Sequence, residues 1–65
     1  MKLGALKQGD KFRYPGQVSG YYIMYGEVPG TNGANCYVQS SVTGYVYSGS
    51  KSDDEVERIG NINDE

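Results

Sequence analysis

The sequence CYVQSSVTGYVYS, residues 36–48, contains the clearest structural signal of this 65-residue chain. Two runs rich in valine and tyrosine, residues 36–40 and 45–48, flank a turn signal that ends at Gly44. β-Branched and aromatic residues favour strands, and a glycine that takes a positive φ closes a tight hairpin. The stretch therefore predicts two antiparallel strands joined by a short loop.

The side-chain pattern of this hairpin selects one register. A three-residue loop that ends at Gly44 makes Ser41 face Tyr45. In the same register Gln39 faces Tyr47, whereas loops of two or four residues would mix valine and tyrosine on both surfaces. The pattern therefore predicts a valine surface and a tyrosine surface on opposite sides. The valine surface contains Val38 and Val46, and the tyrosine surface contains Tyr37, Tyr45 and Tyr47.

Strand-like runs bounded by turn formers occur at five places in the chain. Short strands separated by turns indicate a barrel or a sandwich, and five strands in 65 residues favour an antiparallel barrel. We predict one all-β domain over residues 1–60 and a short acidic polar tail at residues 61–65. The five runs are Lys11–Tyr14, Tyr21–Val28, Cys36–Ser40, Tyr45–Ser48 and Glu55–Ile59.

The expected core is small. Fully burying a large apolar side chain stabilises a fold by about 1.5–3 kcal/mol, while ordering each residue costs roughly 1.5 kcal/mol. This balance predicts a marginal monomer and favours a homo-oligomer that associates through a tyrosine surface or an open strand edge. The expected core residues are Leu3, Leu6, Phe12, Tyr14, Ile23, Tyr25, Cys36, Val38, Val46, Val56 and Ile59.

Composition excludes several classes of function. The chain has no histidine and one cysteine, Cys36, so it lacks the commonest general base and cannot form an intramolecular disulfide. No Walker A sequence and no strand-linked GxGxxG motif occurs. We expect a non-enzymatic protein without metal or cofactor, in which Cys36 is a core residue. The lack of disulfides, of a signal-peptide run and of an apolar stretch of ~20 residues predicts a cytoplasmic protein that does not enter a membrane.

Charge is unevenly distributed although the net charge is only −2. Residues 1–14 carry four cationic side chains and one carboxylate, whereas residues 53–65 carry six carboxylates and one arginine. Pairing of the first and last strands would place Lys11 and Arg13 opposite carboxylates, each pair stabilising the sheet by about 0.2–1 kcal/mol. The carboxylates in question are Glu55 and Glu57. The alternative interpretation is an acidic docking patch at residues 53–57.

Tyrosine is over-represented, with seven tyrosines among eight aromatic residues. We expect Tyr22 to join the tyrosine surface of the hairpin and form one outward sheet face. Such rings suit a protein interface, could stack on a nucleotide or on bases, or could serve only as cross-strand cover. The central strands carry no lysine or arginine, so binding of extended nucleic acid is not expected.

A set of turn and core signals spans most of residues 3–57. They are Leu3-x-x-Leu6, Gly9-Asp10-x-Phe12, Tyr21–Tyr25, Cys36-x-Val38, Thr43-Gly44 and Glu55-Val56. This pattern resembles the small SH3-like barrels encoded by tailed bacteriophages. The resemblance implies a five-stranded SH3-like barrel in which Leu6, Gly9 and Asp10 deliver the chain into the first strand. It also implies an accessory protein, located in the host cytoplasm, that binds a host or a viral partner, often to inhibit a host defence protein.

Two function hypotheses follow, with a virion or assembly component as a third. In the first, the domain binds a host protein through a face of Tyr22, Tyr37, Tyr45 and Tyr47, with an acidic rim of Asp53, Asp54 and Glu55. In the second, an oligomer sequesters a nucleotide or another small ligand between tyrosine rings and a glycine-rich loop, whose backbone N–H groups hold a phosphate. The loop residues of that hypothesis are Gly30, Asn32, Gly33 and Asn35.

Overall fold

Strands form at all five places that the sequence predicts. The computed structural model describes residues 1–64. The only helical segments in that range are single 3-10 turns at Leu3–Ala5 and Ile62–Asp64. The all-β prediction is therefore confirmed. The strands are β1 (Asp10–Arg13), β2 (Tyr22–Glu27), β3 (Asn35–Ser40), β4 (Val46–Lys51) and β5 (Glu57–Asn61).

The strands form one antiparallel sheet in the order β4-β3-β2-β1-β5. Strands β2, β3 and β4 follow one another as hairpins, and the last strand returns to pair with the first. The pairing of the first and last strands, on which the charge-pairing interpretation depends, is thus present. Within residues 1–64, β4 and β5 are the two edges and do not pair with each other, so the sheet is open.

The core lies against one side of the sheet, which we call the inner face. On β2, the side chains that point to the core differ from the predicted ones, because Phe12 pairs directly with Tyr22. Directly paired residues share a face, so Tyr22 and then Met24 turn inward, while Ile23 and Tyr25 turn outward. Met24 therefore replaces those two residues in the core. The buried hydrophobic residues are Leu3, Leu6, Phe12, Met24, Cys36, Val38 and Val56.

A β-bulge explains why Ile59, on the edge strand β5, is not in the core as predicted. On β5, Gly60 pairs with Lys11, but Arg58 pairs with Phe12, so Ile59 has no partner on β1. A bulged residue interrupts the alternation of inward and outward side chains. Ile59 consequently remains 44% exposed instead of joining the core. Similar register shifts occur between β2 and β3 and between β3 and β4.

The β3–β4 hairpin keeps the predicted glycine turn but not the predicted register. Gly44 has a φ of +77°, as expected. The loop nevertheless contains four residues, because Ser40 rather than Ser41 closes the hairpin through a 3.0 Å bond from its N–H to the carbonyl of Tyr45. Ser41 instead pairs with the start of β2, its N–H donating to the Tyr21 carbonyl at 2.8 Å.

This one-residue change shifts every pair of the hairpin. Gln39 faces Val46 and Val38 faces Tyr47, so the predicted separation of valines from tyrosines is wrong. Val46 leaves the core and is 56% exposed. A shift of one residue moves a side chain to the other face of a strand. Tyr47 therefore lies on the inner face beside Val38.

Replacing Gly44 by alanine is expected to lower the free energy of unfolding by about 1–2 kcal/mol, because an L side chain resists a positive φ. An added Cβ would meet no atom within 4 Å, so the loss would come from backbone strain alone. Urea denaturation measures it. Gly60→Ala is the matched control: this position also has open space and no positive φ, and its stability should change by less than about 0.5 kcal/mol. Equal effects of both substitutions would contradict the strain argument.

Asp10 connects the start of β1 to the end of β5. Its carboxylate accepts hydrogen bonds from the Lys7 N–H at 2.8 Å and the Asn61 side-chain amide at 2.8 Å. Arg58 adds an ion pair at 3.1 Å. The lead-in turn that contains Gly9 accepts a further bond, from the Ile62 N–H at 3.0 Å. Residues 61–64 of the predicted polar tail thus contact the domain, and Glu65 lies outside the described residues.

The predicted charge pairing between β1 and β5 is correct at one position. Arg13 faces Glu57, but Lys11 faces Gly60. Glu55 lies before β5, where its carboxylate binds the N-terminal ammonium group and approaches the Lys2 ammonium at 3.9 Å. These contacts lower the pKa of Glu55, chiefly through the hydrogen bond from the N-terminus.

Candidate binding groove

An open groove of about 570 Å³ lies on the inner face beside the edge strand β4. Ligand sites in proteins fall in a range of about 300–1,000 Å³, so the groove is large enough for several side chains of a bound segment. Its lining combines aromatic, aliphatic and hydroxyl groups and contains no charged side chain. The lining residues are Tyr14, Tyr22, Val38, Val46, Tyr47, Ser48, Gly49 and Ser50.

Two tyrosine rings of the groove lining, those of Tyr14 and Tyr22, pack on a buried phenylalanine ring. The ring of the fully buried Phe12 lies 5.7 Å from that of Tyr22 in a stacked arrangement. Tyr14 meets Tyr22 edge-on at 5.6 Å and Phe12 edge-on at 5.7 Å. Aromatic pairs at these separations attract beyond the area they bury. The core therefore holds both tyrosine rings in place before any ligand arrives.

The Tyr14 hydroxyl connects these rings to an acidic residue. It donates to the Asp54 carboxylate at 3.3 Å and is also hydrogen-bonded to Ser50. Burial raises the pKa of the Tyr14 phenol, and the negative charge of Asp54 raises it further. The phenol consequently stays protonated and remains a donor at physiological pH. A carboxylate lies next to the groove even though none lines it.

The expected single tyrosine face is not formed. On β3, Tyr37 lies between the buried Cys36 and Val38, so its side chain points to the opposite, outer face. Tyr22 and Tyr47 line the groove on the inner face. The register of both hairpins causes this separation, since it places Tyr22 opposite Ser40 and Tyr47 opposite Val38.

The other tyrosines lie elsewhere. Tyr45 is 68% exposed at the β3–β4 loop and is not part of the groove lining. Tyr25 lies on the outer face, where its hydroxyl donates to Gln39 at 2.6 Å. The ring of Tyr21 lies 5.2 Å from the Lys11 ammonium in a cation–π contact.

The three residues of the predicted acidic rim do not lie together at the groove. Only Asp54 reaches the groove wall, through Tyr14. Glu55 is occupied by the N-terminus and Lys2, and Asp53 is exposed. A compact acidic patch made of all three residues is therefore not formed around the groove.

The glycine-rich loop lies apart from the tyrosines of the groove. Gly30, Asn32 and Gly33 have positive φ angles, as a tight turn requires, but no residue of the loop lines the groove. Ser52 donates to the carbonyl of Gly33, and Asn35 begins β3. An added Cβ at Gly33 would lie 3.4 Å from a carboxylate oxygen of Glu27, so an anion at this point of the loop would meet negative charge.

Sequence reasoning missed Tyr14 and Ser50 as groove residues. Tyr14 was assigned to the core, although the spacing Phe12-x-Tyr14 places both rings on one face of an extended segment. That spacing was the signal that could have identified these packed rings. No comparable signal exists for Ser50, because its inward position depends on the bulge in β4 opposite Tyr37.

Cys36 is a core residue, as predicted, with its sulfur 3.3 Å from the Ser52 hydroxyl. Among residues 1–64, no group of three or more histidine, cysteine or acidic residues is arranged to hold a metal ion. Neither helical turn in the same range has the length and apolar character needed to cross a membrane.

We compared the chain with protein-family models, with curated proteins and with solved structures, and none of them matches it.

Proposed function

We propose that this chain is a non-enzymatic binding domain of the SH3-like barrel type, which holds an extended segment of another protein in the groove of Tyr14, Tyr22 and Tyr47. The barrel assignment is supported by the strand order β4-β3-β2-β1-β5, in which the last strand pairs with the first. Following the resemblance to phage barrels, the partner in this proposal is a host protein that is inhibited when bound.

One observation carries the proposal: tyrosine rings that remain accessible are held by a buried ring. The half-buried rings of Tyr14 and Tyr22 pack on the fully buried Phe12, and Tyr47, which is 45% exposed, lines the same groove. Preorganised aromatic side chains dominate the energy of protein interfaces, because they bury a large area at a small entropic cost. The hydroxyl of Ser50, which pairs with the buried Cys36 and is hydrogen-bonded to Tyr14, adds a polar group to the lining.

The charges around the groove favour a protein segment over a nucleotide. The groove lining contains no lysine or arginine, so a phosphate would find no counter-charge there. The carboxylate next to Tyr14 is that of Asp54, which favours a neutral or cationic ligand. The glycine-rich loop lies outside the groove lining. For these reasons we advance no nucleotide-binding function.

A site-specific crosslinking experiment tests the proposal. A photoreactive phenylalanine analogue is placed at Tyr47, inside the groove, or at Tyr37, on the outer face, and each protein is irradiated in host lysate. We expect a crosslinked host protein from position 47 and none from position 37. Tyr47→Ala should then weaken binding of that purified partner about 30-fold or more, which corresponds to the 2 kcal/mol of an interface hot spot.

The matched control is Tyr37→Ala, which removes an equally large ring from the opposite face. It should leave the partner affinity within about twofold, a change of less than 0.5 kcal/mol. Far-UV circular dichroism of both variants confirms folding, since both rings are substantially exposed. Equal crosslinking from both positions, or unchanged affinity of the Tyr47→Ala protein, would contradict the groove as the binding site.

A further inference from the structure

β4 has an open backbone edge. Among residues 1–64, its hydrogen-bonded neighbour is β3, on one side only. Ser40 and Tyr45 form a hydrogen-bonded pair next to the loop, and the following pair is Gln39 with Val46. Because hydrogen-bonded and non-hydrogen-bonded pairs alternate in an antiparallel ladder, the N–H and C=O of Val46 point away from β3. They lie along the free edge.

The side chains of this edge do not protect it from pairing with another strand. Natural edge strands are commonly protected by charged residues or proline. Residues 46–50 read VYSGS and contain neither, and the one charged residue of β4 is Lys51 at its end, whose ammonium donates to the Asn35 side chain of β3 at 3.4 Å. The other edge, β5, differs: it carries Glu57 and Arg58, and the Arg58 side chain forms ion pairs with Asp10 and with Asp64.

Exposed hydrophobic residues accompany the unprotected edge. The β3–β4 hairpin leaves Val42 75% and Tyr45 68% exposed, and Val46 and Tyr47 are about half exposed. Val46 and Tyr47 are consecutive in β4 and extend from opposite faces of the sheet. Exposed apolar side chains therefore flank the free backbone edge on both faces of this hairpin.

We propose that a second copy of this chain covers the edge, through antiparallel pairing of β4 with β4 about a two-fold axis. An antiparallel edge is complementary to itself, because a two-fold rotation places the edge N–H groups of one copy opposite the edge C=O groups of the other. The sheets of the two copies would form one continuous sheet. This proposal does not depend on the groove ligand.

Charge favours a second copy as the occupant. Residues 45–50 are uncharged, so the two-fold axis brings no like charges together. Lys51 lies at the end of β4, and antiparallel pairing places the two Lys51 side chains at opposite ends of the interface.

Pairing at the edge leaves the groove open. Strand addition occurs in the plane of the sheet, whereas the ring of Tyr47 extends from the inner face. Each copy would therefore retain its own groove, and the dimer would present two of them. A partner with two binding segments would gain avidity from this arrangement.

Sedimentation velocity of the full chain from micromolar to millimolar concentration tests the dimer. We expect a monomer–dimer equilibrium for the natural sequence. Val46→Lys should weaken dimerisation at least about tenfold, since a lysine on the edge opposes strand pairing. The matched control is Ile59→Lys, which replaces another exposed β-branched residue with lysine on the β5 edge and should leave the equilibrium unchanged.

Hydrogen exchange of the natural protein supplies a second measurement that needs no variant. The Val46 amide should become more protected as the concentration rises, while amides of β5 should not change. A monomer at all concentrations would overturn the proposal. So would dimerisation of the Val46→Lys protein with the natural affinity, loss of the dimer in Ile59→Lys, or concentration-dependent protection at β5 instead of β4.

Discussion

Replacing Phe12 by alanine is expected to lower the free energy of unfolding by about 3–5 kcal/mol, the largest effect of any single substitution considered for this chain. Phe12 is fully buried and contacts the rings of Tyr14 and Tyr22. A domain of 65 residues has a total stability of about 3–10 kcal/mol. The variant should therefore be largely unfolded or should unfold at a much lower urea concentration, as monitored by far-UV circular dichroism.

A milder substitution at the same position shows whether Phe12 also supports the groove in a protein that still folds. Phe12→Leu keeps an apolar side chain and should cost about 1–2 kcal/mol, so the domain should still fold. It removes the ring that stacks on Tyr22, and the groove affinity should fall as well. Val18→Ala is the control for truncation at an exposed site, since Val18 is 93% exposed and its loss should cost less than about 0.5 kcal/mol. An alanine at position 12 that is no more destabilising than the one at position 18 would show that Phe12 is not the centre of the core.

The strand content of this fold could be predicted because its signals are local. Runs of valine and tyrosine bounded by glycine and proline identify strands without knowledge of their partners. Gly44 was correctly assigned to a positive φ for the same reason. The opposite charges of the two chain ends were one sign that the first and last strands could pair, and β1 does pair with β5.

Register could not be predicted, because it depends on contacts between distant residues. The four-residue β3–β4 loop forms since Ser41 bonds to Tyr21, which lies 20 positions earlier in the chain. One residue of register decides which face each tyrosine occupies. The groove was therefore missed although Tyr22 and Tyr47 were both named as binding residues. Bulges had the same effect at Ile59, which no local pattern distinguishes from a core residue.

Replacing Asp10 by asparagine is expected to lower the free energy of unfolding at neutral pH by about 1.5–3 kcal/mol, the range for hydrogen bonds to charged groups. Asp10 is only 3% exposed. Burial alone raises the pKa of its carboxyl, but hydrogen bonds from Asn61, from the Lys7 N–H and from Arg58 outweigh burial and lower it. Asparagine keeps the size of the side chain but turns an NH₂ donor toward groups that are themselves donors.

The pH dependence distinguishes this electrostatic role from packing. Because the folded-state pKa of Asp10 is lowered, its contribution is complete above the unfolded-state value of about 3.9 and is lost as the pH falls toward the folded-state pKa. The stability difference between the natural protein and Asp10→Asn should therefore shrink when urea denaturation is repeated below about pH 4. Asp53→Asn is the matched control at an exposed carboxylate, and it should change the stability at neutral pH by less than about 0.5 kcal/mol. If instead the stability difference between the natural protein and Asp10→Asn remains constant at acidic pH, the Asp10 side chain fills space at this junction and its charge contributes nothing there.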